Sequence, residues 1–127
     1  MKEKYGVDAI AVRCDITDVK SIEEACKMVT DHFGHVEVIV NDAGGEKGTG
    51  TKALDYKDED WLFTLNPDLT SVFRVSKVFG KYRQENINAG KQNYGRIINI
   101  ASLDEPEIPD ERYIEPSWKF WKLSRSI

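Results

Sequence analysis

Apolar positions in the first hundred residues follow two different periods, and residues that stop a helix or strand separate the stretches. Residues 8–13 (DAIAVR) form a short, mostly apolar run suited to a buried strand. Cys14-Asp15-Ile16-Thr17-Asp18 then supplies an N-cap. A helix is predicted over 19–33: Ile22, Cys26, Val29 and Phe33 recur three or four apart, Glu23 and Lys27 pair at i,i+4 on the other face, and Gly34 stops it. Residues 36–40 (VEVIV) read as the next strand, leaving through the turn Asn41-Asp42-Ala43-Gly44-Gly45. After a loop rich in Gly and Thr comes a short helix over 58–65. Asn66-Pro67 combines a strong N-cap with the residue favoured at the first helical position, so a new helix is predicted over 67–85. Its Leu69, Val72, Phe73, Val75, Val78, Phe79 and Tyr82 sweep an apolar arc of roughly 220° at 100° per residue. Thr70, Arg74, Lys77, Lys81 and Gln84 fill the remainder. Two readings of so wide an arc stand side by side: a partner subunit covers one face, or the helix is buried on two sides within one domain. Residues 96–100 form the third strand, closed by Ala101-Ser102.

The order β-α-β-αα-β, with connections long enough for crossovers, predicts an α/β fold around a parallel sheet of three strands, 8–13, 36–40 and 96–100. Ligands of such sheets bind beyond the carboxyl ends of the strands, which here are 14–17, 41–45 and 101–102.

Charge adds a second division. The chain of 127 residues carries a net −4, which disfavours nucleic acid and anionic membrane as main partners. Residues 103–116 hold six acids against Arg112 alone, together with Pro106, Pro109 and Pro116, whereas 117–127 hold Lys119, Lys122 and Arg125 without an acid. The expected organisation is therefore a body over 1–103 and, over 104–127, an acidic proline-containing linker with an aromatic and basic tail. In that tail Trp118, Phe120 and Trp121 alternate with lysines. Such interleaving suits single-stranded nucleic acid or a membrane surface, but packing on the body or over a sheet edge is the simpler reading of so short a stretch. No run approaches the roughly 18 apolar residues of a membrane span, and the first residues lack a signal-peptide core. Cys14 and Cys26 are too few for a disulfide scaffold, so reduced thiols and a cytoplasmic location are expected. His32 and His35 have no metal ligand at useful spacing, and no metal site is expected. No GxSxG turn surrounds Ser102, which argues against a hydrolase triad.

The strand ends resemble the short-chain dehydrogenase/reductase family over about residues 5–103. The resemblance rests on Asp15-Ile16-Thr17-Asp18, on Asn41-Asp42-Ala43-Gly44, on Trp61 leading into Asp68-Leu69-Thr70-Ser71-Val72-Phe73, and on Gly95 through Ser102, all in the family's order and spacing. It implies an incomplete Rossmann-like sheet and NAD or NADP as cofactor. It places Asp15 and Ile16 at the cofactor's adenine end, with the Asp15 carboxylate accepting a bond from the amino group. Asn41, Asp42, Ala43 and Gly44 stand where the family has NNAG, with Asn41, Ala43 and Gly44 flooring the adenosine ribose and glycine allowing close approach. Ser102 would hydrogen-bond the substrate carbonyl or hydroxyl, and Asp68 takes the position of the family's active-site asparagine.

The departures are equally specific. The family's TGxxxGIG turn, which cradles the pyrophosphate at a helix N-terminus, has no counterpart, because the chain starts at what resembles the family's third strand. Gly48-Thr49-Gly50-Thr51-Lys52-Ala53 spells GxGxxA but starts eight residues past a strand and opens no clear helix, so it reads as a loop. No YxxxK pair follows Ser102: Tyr113 has Ser117 four places on, and Lys119 has Glu115 four places before it. The chemistry needs a tyrosine acid/base tuned by a lysine, so this chain is not expected to transfer hydride alone. In the family's strand order the third and fourth strands stand three spacings apart, roughly 14 Å. The gap implies strands supplied by another chain, closure of 8–13 onto 36–40, or a fragment of a longer enzyme. Two functions follow. One is an NAD(P)-dependent oxidoreductase acting on a sugar, polyol or 3-oxoacyl substrate, incomplete or divergent in this chain. The other is a non-catalytic oligomerisation or regulatory module, with the 67–85 helix as the homo-oligomer contact.

Overall fold

A computed structural model of the chain describes residues 2–48 and 51–100. In order these form helix α1 (Lys2–Tyr5), helix α2 (Val19–Phe33), strand β1 (Val38–Asn41), a 3₁₀ turn (Ala53–Asp55), helix α3 (Asp58–Leu65), a π turn (Asn66–Thr70), helix α4 (Ser71–Asn88) and strand β2 (Arg96–Asn99). Strands β1 and β2 pair in parallel, Val38 opposite Arg96 through Asn41 opposite Asn99. Arg96 N–H to the Glu37 carbonyl and Ile100 N–H to the Asn41 carbonyl extend the ladder at both ends.

Helix α2 forms where local signals place it. The Asp18 carboxylate accepts the Lys20 N–H at 3.0 Å, and Gly34, at φ +80°, turns its N–H back to the Thr30 carbonyl. The helix buries Ile22, Ala25, Cys26 and Thr30. Of the four apolar residues expected inward, Phe33, the last residue of the helix, is exposed. Lys27, exposed on this helix, pairs with Asp31 at 2.6 Å rather than with Glu23.

The boundary expected at Asn66-Pro67 is absent. Asn66 has helical angles (φ −65°, ψ −53°) and its N–H bonds the Leu62 carbonyl, so it continues α3 instead of capping a new helix. Proline has no N–H, and its ring crowds the carbonyl four residues back. A single wider turn relieves both problems: the Ser71 N–H reaches five residues back to Asn66, and the chain stays helical from Asp58 to Asn88. The second helix thus runs three residues beyond the predicted end at 85.

Residues 8–13 are the second correction. They are extended but belong to no ladder, so the sheet has two strands rather than three. A strand exists only through a neighbour, and the closure of 8–13 onto β1 does not occur. Instead the segment is tied to α2 by the pairs His32 Nε2–Asp8 Oδ2 (2.6 Å) and Asp15 N–Ser21 Oγ (2.8 Å). A cavity of about 270 Å³ lies between it and β1, lined by Val12, Cys14 and Ile16 on one side and Val40 to Ala43 on the other.

Ile39 and Asn41 face α4 and are buried, whereas Val38, Val40, Ile98 and Ile100 are exposed. The described residues do not bury α4 on two sides either. Leu69 is exposed, Phe73 is 63% exposed, and the helix residues that are buried are Ser71, Arg83 and Asn86. Among the described residues no helix is long and apolar enough to cross a membrane.

Candidate functional site

Two of the three strand ends named above face one another across the 270 Å³ cavity. Ile16 stands on one wall and Asn41, Asp42 and Ala43 on the other, with Val12, Cys14 and Val40 making the space mainly apolar. Asp15, between the lining residues Cys14 and Ile16, is exposed. Its Oδ1 accepts both the Thr17 N–H (2.8 Å) and the Thr17 hydroxyl (2.7 Å). These bonds, the hydroxyl first, hold the carboxyl below the usual carboxylate range, so it is ionised at neutral pH and fixed in direction.

Asn41 does different work from its neighbours. Its side chain is buried and donates through Nδ2 to Asn99 Oδ1 (2.8 Å) and, more weakly, to Ser76 Oγ (3.5 Å). It therefore ties β1 to β2 and α4, while Asp42, Ala43 and Gly44 are exposed. Replacing Asn41 by Ala should cost about 1–3 kcal/mol, because the Asn99 carbonyl loses its donor in a partly dry setting. A lower urea midpoint at unchanged m-value checks this; an unchanged midpoint contradicts it.

Asp68 lies in the π turn and points at the loop after β1. Its Oδ1 accepts the Gly45 N–H at 2.7 Å. A Cβ at Gly44 would come within 2.5 Å of the same oxygen, so the bare backbone there makes room for Asp68. The rest of the loop is fastened to α3. Lys47 pairs with Asp60 at 2.8 Å, the Lys47 N–H bonds Thr64 Oγ1 at 3.2 Å, and the Tyr56 hydroxyl donates to the Lys47 carbonyl. The Asp60 carboxylate holds the Lys47 ammonium above the usual lysine range.

Ser102 lies outside the described residues, as do residues 104–127 with their acidic and aromatic stretches. The structure thus brings Ile16 and Asn41–Ala43 to one cavity, with Asp15 and Gly44 next to them in sequence and Asp68 bonded behind the second loop. Sequence reasoning missed Arg74, whose guanidinium donates through Nη1 to the Thr17 carbonyl (2.6 Å) and to Asn66 Oδ1 (3.0 Å). Its position on the polar side of α4 marks it only as surface. Its partner 57 residues away leaves no local signal.

The family model for short chain dehydrogenase matches residues 1–107. The chain belongs to this family. It is 35% identical over 98 residues to the 3-oxoacyl-(acyl-carrier-protein) reductase FabG of Vibrio cholerae, a match covering 77% of this chain and 37% of the relative. The corresponding reductase of Synechocystis is also 35% identical over 98 residues, covering 77% and 36%. Among solved structures, an NAD⁺-bound xylitol dehydrogenase superposes with a TM-score of 0.69 at 30% identity, covering 87% of this chain and 40% of that one. An actinorhodin polyketide ketoreductase with NADPH gives 0.66 at 37%, covering 79% and 36%. The chain spans just over a third of the length of these relatives. The Rossmann-like α/β class read from the pattern holds, with its sheet incomplete.

The residues present fit part of a dinucleotide. A fixed carboxylate, an apolar wall at Ile16 and the exposed residues Ala43 and Gly44 suit an adenosine group. Among the described residues the GxGxxA stretch reaches only the 3₁₀ turn Ala53–Asp55, which is too short to offer the helix N-terminus that a pyrophosphate needs.

Proposed function

We propose that this chain carries the adenosine-end half of the NAD(P) site of a short-chain oxidoreductase, and that these residues alone do not transfer hydride. The observation that carries the reading is that Ile16 and Asn41–Ala43 line one cavity, with the Asp15 carboxylate held in place between the lining residues Cys14 and Ile16. NAD(P), when bound, supplies the hydride donor or acceptor. Asp15 receives the adenine amino group, Ile16 and Ala43 flank the base, and the exposed Gly44 lies beneath the ribose. Ser102 donates to the substrate oxygen where charge develops, the step such enzymes need stabilised. Asp68 acts behind them by fixing the Gly45 peptide.

The names of the sequence relatives favour a 3-oxoacyl substrate over a sugar or polyol. Both cysteines are free thiols, in keeping with a cytoplasmic setting. The exposed Leu62, Leu69 and Phe73 along α3 and α4 favour a second reading of the same chain, a homo-oligomerisation or regulatory module.

A thermal melt of the 127-residue chain with millimolar NADH or NADPH tests the first reading. A cofactor at a hundred times its Kd stabilises the fold by about 2.7 kcal/mol, which raises Tm by several degrees. A rise with one cofactor supports the adenosine-end site and gives its preference. A cooperative melt indifferent to both overturns it in favour of the non-catalytic module.

A further inference from the structure

The Thr17 residue is held at three atoms. Its N–H and hydroxyl go to Asp15, and its carbonyl receives the Arg74 guanidinium at 2.6 Å. The same Nη1 reaches Asn66 Oδ1 at 3.0 Å, in the π turn from which Asp68 grips the Gly45 N–H. One half-buried arginine therefore links the turn presenting Asp15 to the turn fastening the loop after β1. These are the two loops that stand on either side of the cavity. No ladder joins residues 8–13 to β1, so backbone hydrogen bonding does not fix the distance between them.

We propose that Arg74 is a positioning residue for the dinucleotide site, setting the Asp15 turn at the spacing from the 42–45 loop that an adenosine group requires. The proposal rests on the adenosine-end reading above. Arginine suits the task because a charged N–H on a planar group reaches two carbonyl oxygens with a defined geometry, whereas lysine offers a rotating point charge on a shorter arm. The side chain touches neither reacting atoms nor the cavity wall, so its loss acts on adenosine binding through Thr17 and Asp15.

The experiment compares the full chain with Arg74→Met, which keeps the apolar stem, and Arg74→Lys. NADH and NADPH binding is measured by fluorescence titration, and amide hydrogen exchange is followed at Thr17 and Gly45 without cofactor. Loss of one charge-assisted bond predicts roughly tenfold weaker binding in Arg74→Met and partial recovery in Arg74→Lys. Thr17 exchange should rise about as much, while Cys26, inside α2, keeps its protection. Should Arg74→Met fold poorly, Asn66→Ala removes only the guanidinium's second anchor and should weaken binding less, in the same direction. Unchanged Thr17 exchange overturns the proposal, and so does faster exchange with unchanged binding. If the unsubstituted chain binds neither cofactor, the adenosine-end reading itself has failed and the proposal falls with it.

Discussion

Replacing Ile22 by Ala should remove about 2–5 kcal/mol of stability. Ile22 has no exposed surface and stands with Thr64 as one of the two largest fully buried side chains. It sits on the inward face of α2 and lines the cavity shared with Ile39 and Val75. Truncation loses the transfer energy of three carbons and enlarges a void that the surrounding elements cannot close, since α2 is pinned at both ends by its caps. Among the described residues the buried apolar set is small, namely Ile22, Ala25, Cys26 and Ile39. A domain's whole stability is only about 5–15 kcal/mol, so this one position holds a large share of it. Urea unfolding followed by far-UV circular dichroism checks the expectation. A loss below about 1 kcal/mol would mean that α2 does not bury Ile22 as described.

The second large effect is expected at Gly95, just before β2. A Cβ there would run into Cδ, Nε and Cζ of Arg83, an α4 residue only 8% exposed. Arg83 cannot easily yield, because its Nη2 donates to the Arg96 carbonyl at 3.2 Å. Burial already disfavours its charge and lowers the guanidinium pKa, and Nε has no hydrogen-bond partner among the described residues. Gly95→Ala should therefore cost about 1–3 kcal/mol through overpacking. If the clash is the cause, the cost vanishes once the arginine is shortened, and Gly95→Ala/Arg83→Ala should match Arg83→Ala alone. A double-mutant cycle in urea measures that coupling. Strict additivity of the two substitutions would assign the glycine some other role.

The fold was legible where the determining contacts are near in sequence. Asp18 and Gly34 lie beside the helix they delimit, and α2 begins and ends where they place it. The 8–13 run is as apolar as a strand should be, yet a ladder needs a partner that pattern cannot supply, and the run stays unpaired. Asn66-Pro67 misled for a related reason. It carries a start signal, but α3 already runs into it, and one wide turn absorbs the proline at less cost than ending the helix. The candidate site shows the same contrast. Asp15 and its Thr17 bonds lie within two residues, whereas the Asp68–Gly45 and Arg74–Thr17 bonds span 23 and 57. Asn41 was placed correctly at its strand end, but the pleat decides which way a side chain points, and it turns this amide toward Asn99.

The wide turn at Asn66–Thr70 also governs everything that follows it. It holds one residue more than an α-helical turn would, so it sets the angular phase of α4 against α3. Winding the same five residues as ordinary α-helix, with none removed, would rotate the downstream helix by about 100°. Ser71, Arg83 and Asn86 would swing out toward water, and residues now on the outside would turn to the sheet. The extra residue and the wide turn that absorbs it therefore belong together, and losing the turn while keeping the residue is what would turn α4 away from its present contacts.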